Sequence, residues 1–258
     1  VVVVRERTKA FESFEHYTRE LQARIIGGLG AVEPAAFTLK DWVRPEGGGG
    51  RMAFVRGDVL EKGAVLVSSV HGASSPLSGK PFRAAGLSLI LHPKSPHAPT
   101  VHLNVRAFEE PDDGWWGGGV DLTPMGVRHE EDVAAFHARL ADAFGPRYPD
   151  AKRAADDYFF VPHRGRPRGA GGVFFDHVRE GGEDLVRTTG DLFLDLYLPI
   201  LARRGRQPFD EPERAAQLRD RGVYVEFNLL HDRGTRFGLQ SGGNPEAILS
   251  SLPPLASW

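Results

Sequence analysis

The stretch "VHLNVRAF", residues 101–108, alternates between two unlike faces. Side chains of a strand switch sides at every residue. Val101, Leu103, Val105 and Ala107 therefore point one way, and His102, Asn104, Arg106 and Phe108 the other. Residues 86–92, "GLSLILH", alternate too, with Leu87, Leu89 and Leu91 opposed to Ser88, Ile90 and His92. The link between them, "PKSPHAPT", is short and rich in proline, which predicts an antiparallel hairpin. Placing His92 opposite His102 sets Ile90 against Asn104 and Ser88 against Arg106. All the polar groups then share one sheet face, and a slip of one residue would separate them. His102 to Arg106 spans ~13 Å at ~3.3 Å per residue, a length suited to a large ligand. A strand with one solvated face gives the same alternation, so a binding row and an exposed sheet face both remain open at this point.

Working outward, 52–57, 64–70, 86–92 and 101–108 read as consecutive strands joined by short Gly- or Pro-rich links, a pattern of antiparallel sheets. Residues 8–29 read as a helix, because Phe11, Phe14, Thr18, Leu21 and Ile25 recur on one face. Further helices are expected over 129–144, over 183–204 up to a perturbation at Pro199, and over 211–221. Residues 157–163 and 171–177 are expected to form a strand pair, and 223–230, "VYVEFNLL", a late strand with 235–240 returning beside it. "RPEGGGGR", 44–51, reads as a flexible loop, either a hairpin tip or a mobile flap. No repeat or linker divides the chain. The expected fold class is α+β: a single domain over 1–258 with a large, mostly antiparallel sheet and helices on both sides.

Composition narrows the function. The chain has 258 residues, no cysteine and a formal net charge of −2, which gives no case for a nucleic-acid partner. Without cysteine there is no Cys-ligated zinc, iron–sulfur cluster or thiol nucleophile. No segment reaches the ~20 apolar residues of a membrane helix. The start, "VVVVRERTKA", is too short in apolar residues for a signal-peptide core, so a cytoplasmic protein without stable membrane insertion is expected. No strand–G-x-G-x-x-G–helix unit is present, so no dinucleotide site is indicated.

Three segments add chemistry. "WWGGGVDLTP", 115–124, places two tryptophans and three glycines before Asp121 and reads as a tight turn lining a pocket. His137 falls on the apolar stripe of Val133, Leu140 and Phe144, where a core histidine bonded to a carbonyl and a ligand are both open. "HRGRPRGAGG", 163–172, gathers His163, Arg164, Arg166 and Arg168 into a loop that either attracts an anion or is merely solvated.

These motifs, with "AADDYFFVPHRGRPRGAGGVFFDH" and "RGVYVEFNLLHDRGTRFGLQSGG" in unchanged order from about residue 20 onward, resemble the oxygen-dependent coproporphyrinogen III oxidases. The resemblance implies oxidative decarboxylation of two of four propionates of coproporphyrinogen III to vinyl groups, giving protoporphyrinogen IX in haem synthesis. O2 is the co-substrate, and CO2 and H2O2 are released. It also implies a large antiparallel sheet and a homodimer, with residues 224–258 in the dimerisation region. Ser88, Asn104, Arg106, Gly242 and Gly243 match substrate-contacting positions. His102 matches the proton donor, and Asp121 the acid that engages the pyrrole NH groups. His92, His102, His137 and His163 match four histidines proposed as ligands of a divalent metal, for which Mn is one candidate. No flavin, haem, NAD or iron–sulfur cluster is implied. Asn244 departs from the arginine common at that position, which puts one propionate contact in doubt. Two other classes stand beside this one: a His-ligated metal oxygenase acting on another carboxylated aromatic, and a non-catalytic tetrapyrrole-binding protein. His102 itself stands open among proton donor, metal ligand and carboxylate anchor.

Overall fold

The computed structural model describes residues 2–75, 78–240 and 244–258. In chain order the elements are α1 (Val2–Leu29), β1 (Thr38–Val43), β2 (Gly48–Val55), β3 (Leu60–Gly72), β4 (Phe82–Pro93), β5 (Thr100–Glu109), β6 (Gly114–Thr123), α2 (Glu130–Phe144), α3 (Tyr148–Tyr158), the two-residue strands β7 (Phe160–Val161) and β8 (Arg166–Pro167), β9 (Gly171–Val178), α4 (Gly182–Arg204), α5 (Glu211–Leu230), α6 (Arg233–Gln240) and α7 (Pro245–Ile248). One sheet of seven antiparallel strands, ordered β1-β2-β3-β4-β5-β6-β9, carries the fold, as an α+β class requires.

The alternation in the central strands decides which face is covered. Leu87, Leu89 and Leu91 of β4 and Val101, Leu103 and Val105 of β5 are buried together against Phe11, Phe14, Leu21 and Ile25 of α1, Phe136 and Leu140 of α2, and Phe193, Tyr197 and Ile200 of α4. Each such fully buried side chain contributes roughly 1.5–3 kcal/mol of transfer free energy. α4 runs on through Pro199 without ending. Helix α5 lies over part of the opposite face, where Tyr224 packs on Ala64 and Ile90. α3 runs beside the edge strand β9. Among the described residues no helix is long and apolar enough to cross a membrane.

The strand order of the first hairpins follows the sequence, but several details differ. The β4–β5 register is shifted by two residues from the expected one: Ile90 opposes His102, Ser88 opposes Asn104 and Gly86 opposes Arg106. An even shift keeps every side chain on its face, so the polar row survives. Gly48–Gly50 of the expected flexible loop are part of β2, Gly49 and Gly50 paired with both β1 and β3 and Gly48 with β3, and only the residues before them turn. Pairing on both sides satisfies their backbone, which overrides the low strand propensity of glycine. Residues 115–123 are not a turn but strand β6, between β5 and β9. Trp115 and Trp116 accordingly face opposite ways. Trp115 stacks on Phe108 of the polar face, while Trp116 packs edge-on against Phe14 of the core. Residues 157–163 do not pair with 171–177; β7 pairs with β8, and β9 pairs with β6.

The expected strand at 223–230 is the second half of α5, and 235–240 lies in α6. Aromatic and β-branched residues in "VYVEF" imitate a strand. The buried positions Gln217, Arg221, Tyr224 and Asn228 instead recur at helical spacing. The helix starts with a capping box, in which Asp210 accepts from the Glu213 backbone N–H and Glu213 accepts from that of Asp210.

Candidate active site

Cross-strand pairing lays the polar face out in rows. Ile90, His102, Asp121 and Gly172 form one row across β4, β5, β6 and β9. Ser88, Asn104, Gly119 and Phe174 form the next, and Gly86, Arg106 and Gly117 a third. Glycines in β6 leave the floor beside Asn104 and Arg106 free of side chains. Ser88, His102, Asn104 and Arg106 are all half-buried.

The first row holds a chain of charged hydrogen bonds anchored on the sheet. His102 Nδ1 lies 3.0 Å from Asp121 Oδ1, and Arg168 donates to Asp121 Oδ2 at 2.6 Å. Thr123 donates its hydroxyl to the same Oδ2 at 3.3 Å. Only 2 % of the Asp121 side chain is exposed, against 25 % of His102. Burial by itself pushes the Asp121 pKa up, but the Arg168 charge and the His102 hydrogen bond outweigh it. The carboxyl is held below the usual range, so it is an anion at neutral pH. That anion fixes the proton of His102 on Nδ1, which leaves Nε2 as an acceptor. The Arg168 guanidinium is itself caged, 4.1 Å from the Phe159 ring centre, 4.6 Å from Phe227 and 4.8 Å from Tyr224.

The third row is built around Arg106. It donates from Nη1 to Asn104 Oδ1 at 2.6 Å and pairs through Nη2 with Asp176 Oδ1 at 2.8 Å. Arg233, at the start of α6, reaches Asp176 Oδ2 at 3.4 Å and lies over the Tyr158 and Phe174 rings. Arg106 lies 5.9 Å from both the Phe174 and Trp115 ring centres. The face is thus cationic and aromatic together, which suits a flat molecule bearing carboxylates.

The four histidines matched as metal ligands do not converge. His92 is fully buried, donating from Nε2 to the Ser251 carbonyl at 2.9 Å with Nδ1 3.1 Å from the Thr100 hydroxyl, and burial lowers its pKa to about 3. His137 donates from Nε2 to the Ala170 carbonyl at 2.9 Å and accepts from the Tyr148 hydroxyl at 2.8 Å. His163 bonds Glu226 and His231 at the outer end of α5. Among the described residues no group of three or more His, Asp or Glu side chains is arranged to hold a metal ion. Each imidazole already has protein partners, so this donor set does not fit a shared metal.

Other expectations fall elsewhere. Gly242 and Gly243 lie outside the described residues. Asn244 caps α7 by accepting from the Glu246 backbone N–H. The arginines of 163–172 do not form an open anion-attracting loop: Arg164 pairs with Glu226, Arg166 with Asp220, and Arg168 turns inward to Asp121. The roles of Arg168, Asp176 and Arg233 were not visible in the sequence. Arg168 sits among look-alike arginines, and only its place between aromatic residues from two segments distinguishes it. Asp176 carries a signal, since it follows the alternation of "GGVFFDH", but its meeting with Arg106 depends on strand order.

An α+β sheet that sets an Asp–His pair and the Arg106–Asp176–Arg233 cluster on one face has an enzyme-like arrangement. The chain belongs to the coproporphyrinogen III oxidase family, whose model matches residues 13–258. Membership places it among the oxidoreductases of porphyrin synthesis, with coproporphyrinogen III as the family's substrate.

Proposed function

We propose that this protein is the oxygen-dependent enzyme for that step, working in the cytoplasm and converting two propionates of coproporphyrinogen III to vinyl groups. Each cycle balances as R–CH2–CH2–COO⁻ + O2 + H⁺ → R–CH=CH2 + CO2 + H2O2, giving protoporphyrinogen IX after two cycles. The observation that carries the reading is the half-buried His102 imidazole, held through Nδ1 by the Asp121 anion and placed on the same sheet face as Arg106. Arg106 suits a propionate because a guanidinium holds a carboxylate through a fork of two N–H groups.

In this mechanism His102 takes the pyrrole N–H proton as O2 adds to the electron-rich ring. The bound peroxide then takes the β-hydrogen as a proton and leaves as its C–O bond breaks. CO2 departs as the C–C electrons form the vinyl double bond, and the proton held on His102 with one from solvent completes H2O2 and restores the pyrrole N–H. In this reading Asp121, with 2 % of its side chain exposed, orients the imidazole through the Nδ1 hydrogen bond. The protein supplies position and charge, and no step runs through a metal. The absence of cysteine supports the aerobic route, because the radical enzyme for the same conversion needs a Cys-ligated cluster.

We also propose a homodimer through the 224–258 region, which exposes Leu229, Leu230, Leu239, Leu255 and Trp258. Sedimentation as a monomer at micromolar concentration would remove that part. The activity is tested with coproporphyrinogen III under air and under argon. One O2 consumed and one CO2 released per vinyl group formed, with no turnover under argon, is the expected result. Equal turnover without O2 overturns the reading. Ligand binding with no O2 uptake would favour the tetrapyrrole-binding alternative.

A further inference from the structure

Gly117 stands opposite Arg106 on β6, and beyond it the β6–β9 pairing is irregular: Trp116 opposes Val178 and Gly118 opposes Phe175. Asp176 and His177 therefore share the single position of Gly117, which is a β-bulge. His177 has φ 54°, the only positive φ among the described non-glycine residues. A non-glycine residue in that region carries backbone strain, and bulges of this kind re-aim a side chain. Here the bulge directs Asp176 back over Gly117 to Arg106. A Cβ on Gly117 would lie 2.8 Å from Asp176 Oδ1 and 2.9 Å from Arg106 Nε, so the glycine is what lets the two groups meet. On its other oxygen Asp176 meets Arg233, whose side chain is 61 % exposed.

We infer that Asp176 holds, between Arg106 and Arg233, the place of a substrate propionate, and that the incoming carboxylate displaces it. The inference rests on the reading of this face as the coproporphyrinogen site. A propionate held by the Arg106 fork needs the Nη2 group that Asp176 now occupies, since Nη1 is already given to Asn104. With Asp176 in place the trio carries a net charge of +1, counting two arginines against one aspartate. The exposed Arg233 contributes little to holding Asp176, and at Arg106 the incoming carboxylate replaces one ion pair by another. Asp176 is thus a specificity-determining residue: it keeps the arginines ordered when no ligand is bound and weakens binding of molecules with too few carboxylates to displace it. The product has two carboxylates fewer than the substrate, so the same competition favours its release.

The test is Asp176→Asn, which keeps the shape and removes the charge, with Asp176→Ala as a second variant. Binding is read by fluorescence titration with coproporphyrin III, a stable tetracarboxylate, and turnover by O2 uptake with coproporphyrinogen III. Both variants are expected to bind coproporphyrin III about two- to five-fold more tightly than wild type, with KM falling in parallel and kcat not increased. Unchanged or weaker binding in Asp176→Asn overturns the inference and makes Asp176 a support of the Arg106 conformation only. Wild-type protein that binds coproporphyrin III but consumes no O2 with coproporphyrinogen III counts against the proposed activity, while the titrations still decide the role of Asp176.

Discussion

His102 and Asp121 sit at directly opposed positions on β5 and β6, with Nδ1 3.0 Å from Oδ1. Neighbouring antiparallel strands bring such pairs into reach without any loop to position them, so the pair is as rigid as the sheet. For Asp121→Asn the expected result is a fall in kcat of about 10²–10⁴-fold, because an amide neither fixes the imidazole proton on Nδ1 nor stabilises the imidazolium. Coproporphyrin III affinity should change much less, since only 2 % of the Asp121 side chain is exposed. O2 uptake and fluorescence titration measure the two quantities separately. Near-wild-type kcat in a folded variant removes Asp121 from the mechanism.

Arg168 and Asp121 form a buried pair, with 3 % and 2 % of their side chains exposed. Removing one partner leaves the other charge buried alone. Arg168→Met is therefore expected to lose about 3–5 kcal/mol in urea unfolding at pH 7. The sign of its pH dependence follows. In wild type the Asp121 pKa is lowered, so its contribution is present above about pH 4 and fades as the pH falls further. In Arg168→Met the largest opposing charge is gone and only the His102 interaction still counters burial, so the pKa moves up, protonation relieves the defect and the gap to wild type narrows on acidification. Asp121→Asn combined with Arg168→Met should recover much of the lost stability but none of the activity. Equal stability losses in the single and double variants would show that the charge pair is not the cause.

The central hairpins, the two faces of "VHLNVRAF" and the core stripe of α1 were legible because period-two and period-3.6 patterns each bury one face. What was not legible depended on pairing partners. "WWGGGVDL" lacks strand-forming residues at its centre, yet becomes a central strand because β5 and β9 bond it on both sides. "VYVEFNLL" has strand-like composition, yet the spacing of its buried residues is helical. Ser88, His102, Asn104 and Arg106 could be gathered on one face from alternation alone. The partners that define their chemistry, Arg168 and Asp176, come from segments more than sixty residues away and needed the strand order.

The histidines matched as metal ligands occupy separate places with their own hydrogen-bond partners. Protein depleted of divalent metals with a chelator, and checked by elemental analysis, should keep more than about half of its coproporphyrinogen turnover, since proton transfer through His102 and carboxylate binding by Arg106 need no Lewis acid. Loss of activity that is restored by Mn, Fe, Zn or Cu alone would show that the histidines rearrange around a metal.

Glu226 ties the chain end to α5. It accepts from Trp258 Nε1 at 3.0 Å and from His163 Nε2 at 2.8 Å, and it pairs with Arg164. The Arg164 hydrogen bonds, opposed by slight desolvation and aided by His163, lower its pKa to about 2. A lowered carboxyl pKa means that the tie is fully present above the ordinary value near 4.5 and is lost as the pH falls toward 2. Glu226→Gln should therefore release the C-terminal residues to carboxypeptidase faster than wild type at pH 7. A thermal-melting difference in the same direction should shrink between pH 4.5 and 3, as wild type loses the same interaction. The exposed Arg164 partner keeps the stability effect of this half-buried carboxylate small, on the order of 1 kcal/mol or less. A variant whose C-terminus is digested at the wild-type rate at pH 7 would show that the Ser257 backbone bond to Leu218, at 3.0 Å, holds the chain end without Glu226.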